Sequence, residues 1–204
     1  MRIYIARHGQ TVWNTEHRMQ GWRDSELSEK GIADAKRLAS RIQHIQFDSI
    51  ISSPLGRALN TAQYVKGDKE KEIVIVDSFK EMNFGEWEGM YDSEVKEKYP
   101  VEHYNFWKKP ELFKPLKGES FSELIARVDD GLKKLIEKNK DVNENILLVT
   151  HTCVIKSILS IIKAYKVEEF WNPPYIYATS LTILEVDNNN MKTILEADTS
   201  HLNI

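Results

Sequence analysis

The sequence predicts an α/β protein, a three-layer α/β/α sandwich around a mostly parallel mixed sheet. Short apolar runs alternate with segments of helical period through most of the chain, as parallel βαβ units require. The final stretch alternates differently: Ser180 to Val186 and Met191 to Ala197 flank Asn188-Asn189-Asn190, the pattern of a hairpin added to one side of the sheet. With 204 residues, 41% of them hydrophobic and five of them Trp, the chain can bury a full core, and the length favours one domain over 1–204.

The elements follow in order. Ile3-Tyr4-Ile5-Ala6 is an apolar run that stops at Arg7-His8-Gly9-Gln10-Thr11, with Trp13-Asn14 just beyond. Such a run reads as a buried strand delivering a cation and an imidazole to a sheet edge, where ligands of open α/β sheets bind. Leu27-Ser28 opens a helix, with Ser28 as N-cap and Ile32, Ala35, Leu38, Ala39, Ile42 and Ile45 at helical spacing. Phe47 to Ser52 reads as a second buried strand, Pro54 to Val65 as a helix with Arg57 in its first turn, and Ile73 to Val76 as a third strand.

From about 79 to 118 the texture changes. Glu81-Met82-Asn83-Phe84-Gly85-Glu86-Trp87-Glu88-Gly89 is followed by Tyr91, Tyr99, Tyr104, Phe106, Trp107 and Phe113, with prolines between them and little regular period. This reads as an excursion packed over the sheet edge as a cap. Ser120-Phe121-Ser122-Glu123 is a capping box that opens an amphipathic helix ending near Asn139. Asn145-Ile146-Leu147-Leu148-Val149-Thr150-His151 is a second apolar run ending in histidine, followed by an apolar helix from about Val154 to Ala164. Two such strands would set His8 and His151 side by side.

Charge and composition exclude several classes. The 28 basic and 31 acidic residues leave a formal charge of -3, and the basic residues of Lys66 to Lys71 and Lys133 to Lys140 are mixed with acids. No nucleic-acid footprint results. Nowhere do 18 apolar residues run together, no secretion signal is legible, and Cys153 is the only cysteine. The expectation is a cytoplasmic protein with no membrane and no nucleic-acid partner, and a possible homodimer. No recurrent acidic or His-Glu-x-x-His spacing calls for a metal.

The sheet-edge positions hold Arg7, His8, Asn14, Arg57, Glu81 and His151. Two guanidinium forks and two imidazoles around one carboxylate suit a tetrahedral oxyanion, and phosphate is the common metabolite group of that kind. The backbone N–H of Thr152, where a helix begins, would add a donor.

Arg7-His8-Gly9-Gln10-Thr11 with Trp13-Asn14, Arg18-x-Gln20-Gly21, Leu27-Ser28-x-x-Gly31, Ser52-Ser53-Pro54-x-x-Arg57-Ala58, Glu81-x-x-Phe84-Gly85-x-Trp87-Glu88-Gly89, Gly118-Glu119-Ser120 and Val149-Thr150-His151 resemble the histidine phosphatase superfamily. That clan includes cofactor-dependent phosphoglycerate mutases, broad-specificity phosphatases and α-ribazole phosphatases, and the match runs in order over nearly the whole chain. The resemblance implies the phosphoglycerate mutase-like fold. It implies His8 as nucleophile forming a phosphohistidine, and Arg7, Arg57 and His151 neutralising the equatorial oxygens. It also implies Glu81 as acid and then base, with Asn14, Gln20, Thr11, Gly21 and Thr152 near the phosphate. Neighbouring cations lower the pKa of Glu81 and burial raises it, and a proton-donor role at neutral pH requires burial to matter. Glu88 reads as structural, and His17, His44, His103 and His201 as surface residues, with His103 closest to the cap.

One departure stands out. The family follows its second histidine with two small residues, often Gly-Gly, and a basic position after two apolar ones; this chain reads His151-Thr152-Cys153-Val154-Ile155-Lys156. Cys153 near a helix start would have a lowered pKa, but no Arg follows at the Cys-x5-Arg spacing of cysteine phosphatases. The short chain and Phe84-Gly85-Glu86-Trp87-Glu88-Gly89 fit the phosphatase branch. The expectation is a metal-independent phosphomonoesterase without cofactor, acting on a small phosphorylated metabolite. The alternatives are a mutase that uses 2,3-bisphosphoglycerate and a non-catalytic phospholigand-binding protein. Trp22, Met82, Phe84, Tyr104, Phe106 and Trp107 are available to line an apolar pocket, whereas Lys108, Lys109, Lys114 and Lys117 would meet a second anion.

Overall fold

A computed structural model describes residues 1–67, 70–139, 145–187 and 190–203. In chain order it contains β1 (Arg2–Arg7), α1 (Val12–Thr15), α2 (Glu29–Arg41), β2 (Ser49–Ser52), α3 (Gly56–Lys66) and β3 (Ile73–Ile75). There follow α4 (Asp92–Lys98), α5 (Pro100–Lys108), α6 (Phe121–Lys138), β4 (Asn145–Thr150), α7 (Thr152–Lys163), β5 (Leu181–Asp187) and β6 (Asn190–Asp198). The strands form one sheet in the order β3-β2-β4-β1-β5-β6. Pairings among β1 to β4 are parallel, and β5 joins β1, and β6 joins β5, in antiparallel fashion. This is the mixed α/β sheet the sequence calls for.

Strand periodicity explains how one run of apolar residues feeds two core layers. Ile3 and Ile5 of β1 and Ile146 and Leu148 of β4 pack into one cluster with α6 and α7; Tyr4, Ala6, Leu147 and Val149 pack into the other with α2 and α3. Side chains alternate across a strand, so a strand buried on both faces reads as continuously apolar. Register then fixes the site, because Arg7 lies opposite Thr150 in the β1–β4 ladder and the next residues are His8 and His151.

Several boundaries differ from the sequence expectation. The first loop contains the short helix α1, too brief to show a periodic signal, where Thr11 and Asn14 satisfy each other's backbone amides in a capping box. Helix α3 starts at Gly56, two residues after Pro54, and α7 starts at Thr152, ahead of Val154. The 79–118 excursion contains α4 and α5 and single 3₁₀ turns, held by an aromatic cluster. In that cluster the Phe106 ring lies 4.8 to 5.7 Å from those of Phe84, Trp87, Trp107, Phe113, Phe121 and Trp171. Of the expected hairpin turn, Asn188 and Asn189 lie outside the described residues, while β5 and β6 pair as expected. Among the described residues no helix is long and apolar enough to cross a membrane.

Candidate active site

Three parallel strands end together, and the residues just beyond them build the site: His8 after β1, Ser53 after β2, His151 after β4. The His8 and His151 rings lie 5.2 Å apart. His8 Nδ1 is 2.7 Å from the Gly9 carbonyl oxygen, which only accepts; the proton is therefore assigned to Nδ1, leaving Nε2 with the lone pair. His151, the N-cap of α7, has Nε2 2.7 Å from the Ser53 hydroxyl, which also accepts from the Leu55 amide. The Ser53 hydroxyl can serve Nε2 as donor or acceptor, while His151 Nδ1 is buried with no protein partner among the described residues. Burial, and after it the nearby guanidinium charges, hold both imidazoles well below the usual histidine range.

The two guanidinium groups are fixed from behind. Arg7 Nη1 donates to the Ile176 carbonyl at 2.8 Å. Arg57, only 1% exposed, donates to the Gly21 carbonyl at 2.7 Å, the Arg23 carbonyl at 2.8 Å and the Asp24 carboxylate at 2.9 Å. Among the described residues the Nε atoms of Arg7 and Arg57 are buried donors without a protein acceptor. Gly21 has φ +56, and a Cβ there would fall 2.3 Å from the Glu88 carboxylate, which accepts from the amides of Trp22, Arg23 and Phe84. Glycine is what lets this loop turn its carbonyl to Arg57. Gly31 serves the first loop similarly, because a Cβ would fall 2.0 Å from the Gln10 carbonyl oxygen.

Glu81 is buried on the same cavity. Its Oε1 accepts from the amides of Met82 at 2.9 Å and Cys153 at 3.2 Å. Those amides and the charges of Arg57 and Arg7 pull its pKa down, yet burial is the largest influence and the carboxyl ends above its ordinary value. Its backbone carbonyl is gripped by Trp22 Nε1 at 2.9 Å and Arg127 Nη2 at 3.2 Å. Arg127 is itself clamped by Glu119. Cys153 contrasts with the sequence expectation: burial, then the Glu81 carboxyl, push its thiol well above the usual range, so the helix start gives no reactive thiolate.

A cavity of about 930 Å³ opens on this centre, and Arg7, His8, Asn14, Arg57 and Glu81 line it. Gln20, Gly21 and Thr152 line it too. Thr11 does not: it is fully buried, its hydroxyl spent on the Asn14 amide as the α1 cap. The capping box also occupies Asn14 Oδ1, leaving the side-chain NH₂ for the cavity. Of the expected apolar wall, Phe84, Tyr104, Phe106 and Trp107 are present, whereas Met82 is buried in the core and Trp22 covers Glu81 from outside. Lys108 reaches the wall, but Lys109, Lys114 and Lys117 do not, and Lys117 pairs with Glu86 at 3.0 Å. His103, the histidine the sequence sets apart by its place in the cap, lines the cavity beside Asp92, whereas His201, expected at the surface, is half-buried against the Thr179 carbonyl at 3.1 Å. Sequence reasoning gave no role to Ser53, Asp24 or Arg127, and passed over the Trp171 to Ile176 segment, whose aromatic and proline texture matches the cap's. Among the described residues no group of three or more His, Cys, Asp or Glu side chains forms a metal-ligand set.

A family model described as histidine phosphatase superfamily (branch 1) matches residues 3–199. Phosphoserine phosphatase 1 of Hydrogenobacter thermophilus is 30% identical over 84% of this chain and 81% of its own length. A metal-independent phosphoserine phosphatase of Arabidopsis thaliana is 35% identical over 76% of this chain and 66% of its own length. Among solved structures, Bacillus stearothermophilus YhfR superposes with a TM-score of 0.95 at 38% identity, covering 98% of each chain.

Proposed function

The chain belongs to branch 1 of the histidine phosphatase superfamily and is a phosphatase, and from that premise we propose that it hydrolyses a small phosphomonoester through a phosphohistidine on His8, without a metal. The observation that carries this reading is one cavity lined by His8, Arg7, Arg57 and a Glu81 carboxyl of raised pKa, with the neutral His151 ring buried 5.2 Å from that of His8.

In the first half-reaction His8 Nε2 forms a bond to phosphorus as the ester P–O bond breaks. A neutral imidazole is the required nucleophile, and its depressed pKa keeps it neutral at pH 7. The departing oxygen takes the Glu81 proton, a donor role that the upward shift of its pKa by burial favours. Arg7 and Arg57 are donors for the equatorial oxygens, where preorganised charge stabilises the transition state most, and the unpartnered Nδ1 of His151, if protonated, would add a neutral donor beside His8. In the second half-reaction water adds to phosphorus and gives a proton to the Glu81 carboxylate, the N–P bond breaks, and inorganic phosphate leaves with His8 neutral again. The metal-independent relative supports chemistry by side chains alone.

Turnover of a panel of phosphomonoesters, phosphoserine and 3-phosphoglycerate included, in excess chelator tests the reading. Phosphate release by the wild type and a loss of at least about 10³ in His8→Ala are expected. Undiminished turnover by His8→Ala would overturn it. 2-Phosphoglycerate accumulating from 3-phosphoglycerate would favour the mutase, with 2,3-bisphosphoglycerate as its cofactor.

A further inference from the structure

The cavity is much larger than a phosphoryl group needs, and its charge is one-sided. Among the described residues that line it, Glu81 is the only carboxylate, against Arg7, Arg18, Arg57, Lys96, Lys108 and Lys156. Arg7 and Arg57 belong to the phosphoryl centre. Arg18 is engaged by Glu16 and Tyr91, and Lys96 and Lys108 are exposed at the rim. Lys156 differs from all of these. It is 4% exposed, and its Nζ donates to the Asn172 carbonyl. Among the described residues it has no carboxylate partner: Glu196, the carboxylate whose charge acts on it, pairs with Lys163 at 2.7 Å, and the Cys153 thiol is kept neutral by burial. A buried ammonium satisfied by a single carbonyl is costly, and an anion beside it removes most of that cost.

Position makes the anion a part of the substrate. Thr152 and Lys156 are four residues apart on α7 and share its cavity face, with about 6 Å of axial rise between them. The first marks the phosphoryl end of the cavity and the second lies a turn farther along. The same cavity is lined by Phe106, Trp107 and Trp171, the last two with ring centroids 4.9 Å apart, an apolar wall suited to a flat or hydrocarbon body. We propose that Lys156 anchors a second anion subsite, so that the preferred substrate is a phosphomonoester whose leaving group carries a further anionic group, carboxylate or phosphate, beyond an apolar spacer. The proposal rests on the phosphatase reading above. Burial lowers the Lys156 ammonium to about 8, so it is still charged at pH 7 and available to such a group.

Three substrates test it: 4-carboxyphenyl phosphate, its methyl ester and 1,4-phenylene bisphosphate. They are compared in the wild type, Lys156→Met and Lys156→Arg at pH 7. KM is read apart from kcat, because a ground-state ion contact lowers KM whereas leaving-group acidity moves kcat. The ratio of KM values within one preparation is independent of how much of a variant is folded. The wild type is expected to favour at least one anionic substrate over the methyl ester by about tenfold in KM, the size of one charged hydrogen bond. The favoured substrate tells carboxylate from phosphate. Lys156→Met should bring the ratio close to one and Lys156→Arg should keep most of it. Equal KM values in the wild type, or a preference that survives Lys156→Met, would overturn the subsite while leaving the phosphatase reading intact. No turnover of any of the three by an enzyme that hydrolyses other phosphomonoesters would overturn the subsite alone; no turnover of any phosphomonoester would overturn the phosphatase reading and the subsite with it.

Discussion

The two walls of the cavity are built by different physics. At the sheet edge every functional side chain is locked by a directional contact: His8 by the Gly9 carbonyl, His151 by Ser53, Arg57 by two carbonyls and Asp24, Glu81 by two amides. On the cap side the wall is rings packed on rings, with Tyr104 54% exposed and Tyr175 69% exposed at the mouth. Hydrogen bonds fix an atom to fractions of an ångström, whereas aromatic packing fixes a volume and tolerates changes of shape. On the proposed reading the sheet edge holds the chemistry, and the cap the fit to the leaving group.

The sharpest way to break this division is at Arg57. Arg57→Ala is expected to lower kcat by about 10³ on any phosphomonoester, the scale of one arginine in phosphoryl transfer, with about 1 to 3 kcal/mol of stability lost from the carbonyls it leaves unpaired. Steady-state kinetics and a urea titration check it; a large loss of stability with near-normal kcat would reverse the assignment. The counterpart on the cap is Phe106→Ala. Removing that buried ring is expected to cost about 3 to 5 kcal/mol of stability while kcat on phenyl phosphate stays within about tenfold. A kcat collapse in folded Phe106→Ala would show that the cap also sets the chemistry.

Smaller, but specific to the sheet edge, is the pH dependence of stability. His8 and His151 have folded-state pKa values below the unfolded value, so the unfolded chain binds more protons and stability falls as pH drops from about 6.5 toward those lowered values. Glu81 acts in the opposite sense: its raised folded-state pKa gives stability present below its unfolded value and lost as pH rises through the folded one. Thermal melts between pH 5 and 8 should show the histidine loss on the acid side, with a shallower slope in His151→Gln. A slope unchanged by that substitution would contradict the burial of a neutral ring.

The same contrast explains what could be read from sequence. The strands carrying His8 and His151 were legible because a strand buried on both faces is apolar throughout, and an abrupt Arg-His or Thr-His at its end stands out. Arg57 and Glu81 emerged from motif spacing. Ser53, Asp24 and Arg127 did not, because a residue that orients another carries no periodic signal and becomes meaningful only when the partner is in place. The family resemblance puts Thr11 near the phosphate, whereas the α1 capping box, too short to show a helical period, turns its hydroxyl to the Asn14 amide. The cap was recognisable as irregular, but which rings face inward is decided by packing; Met82 and Trp22 turned elsewhere, and the Trp171 to Ile176 strap closed the wall from a distant part of the chain.

The central claim is that His8 receives the phosphoryl group. Rapid quenching of the wild type with a ³²P-labelled phosphomonoester, followed by peptide mapping, tests it most directly. One alkali-stable, acid-labile phosphohistidine at His8, absent from His8→Ala, is the predicted result; label on another residue, or full turnover with no trapped phosphoenzyme, would contradict it.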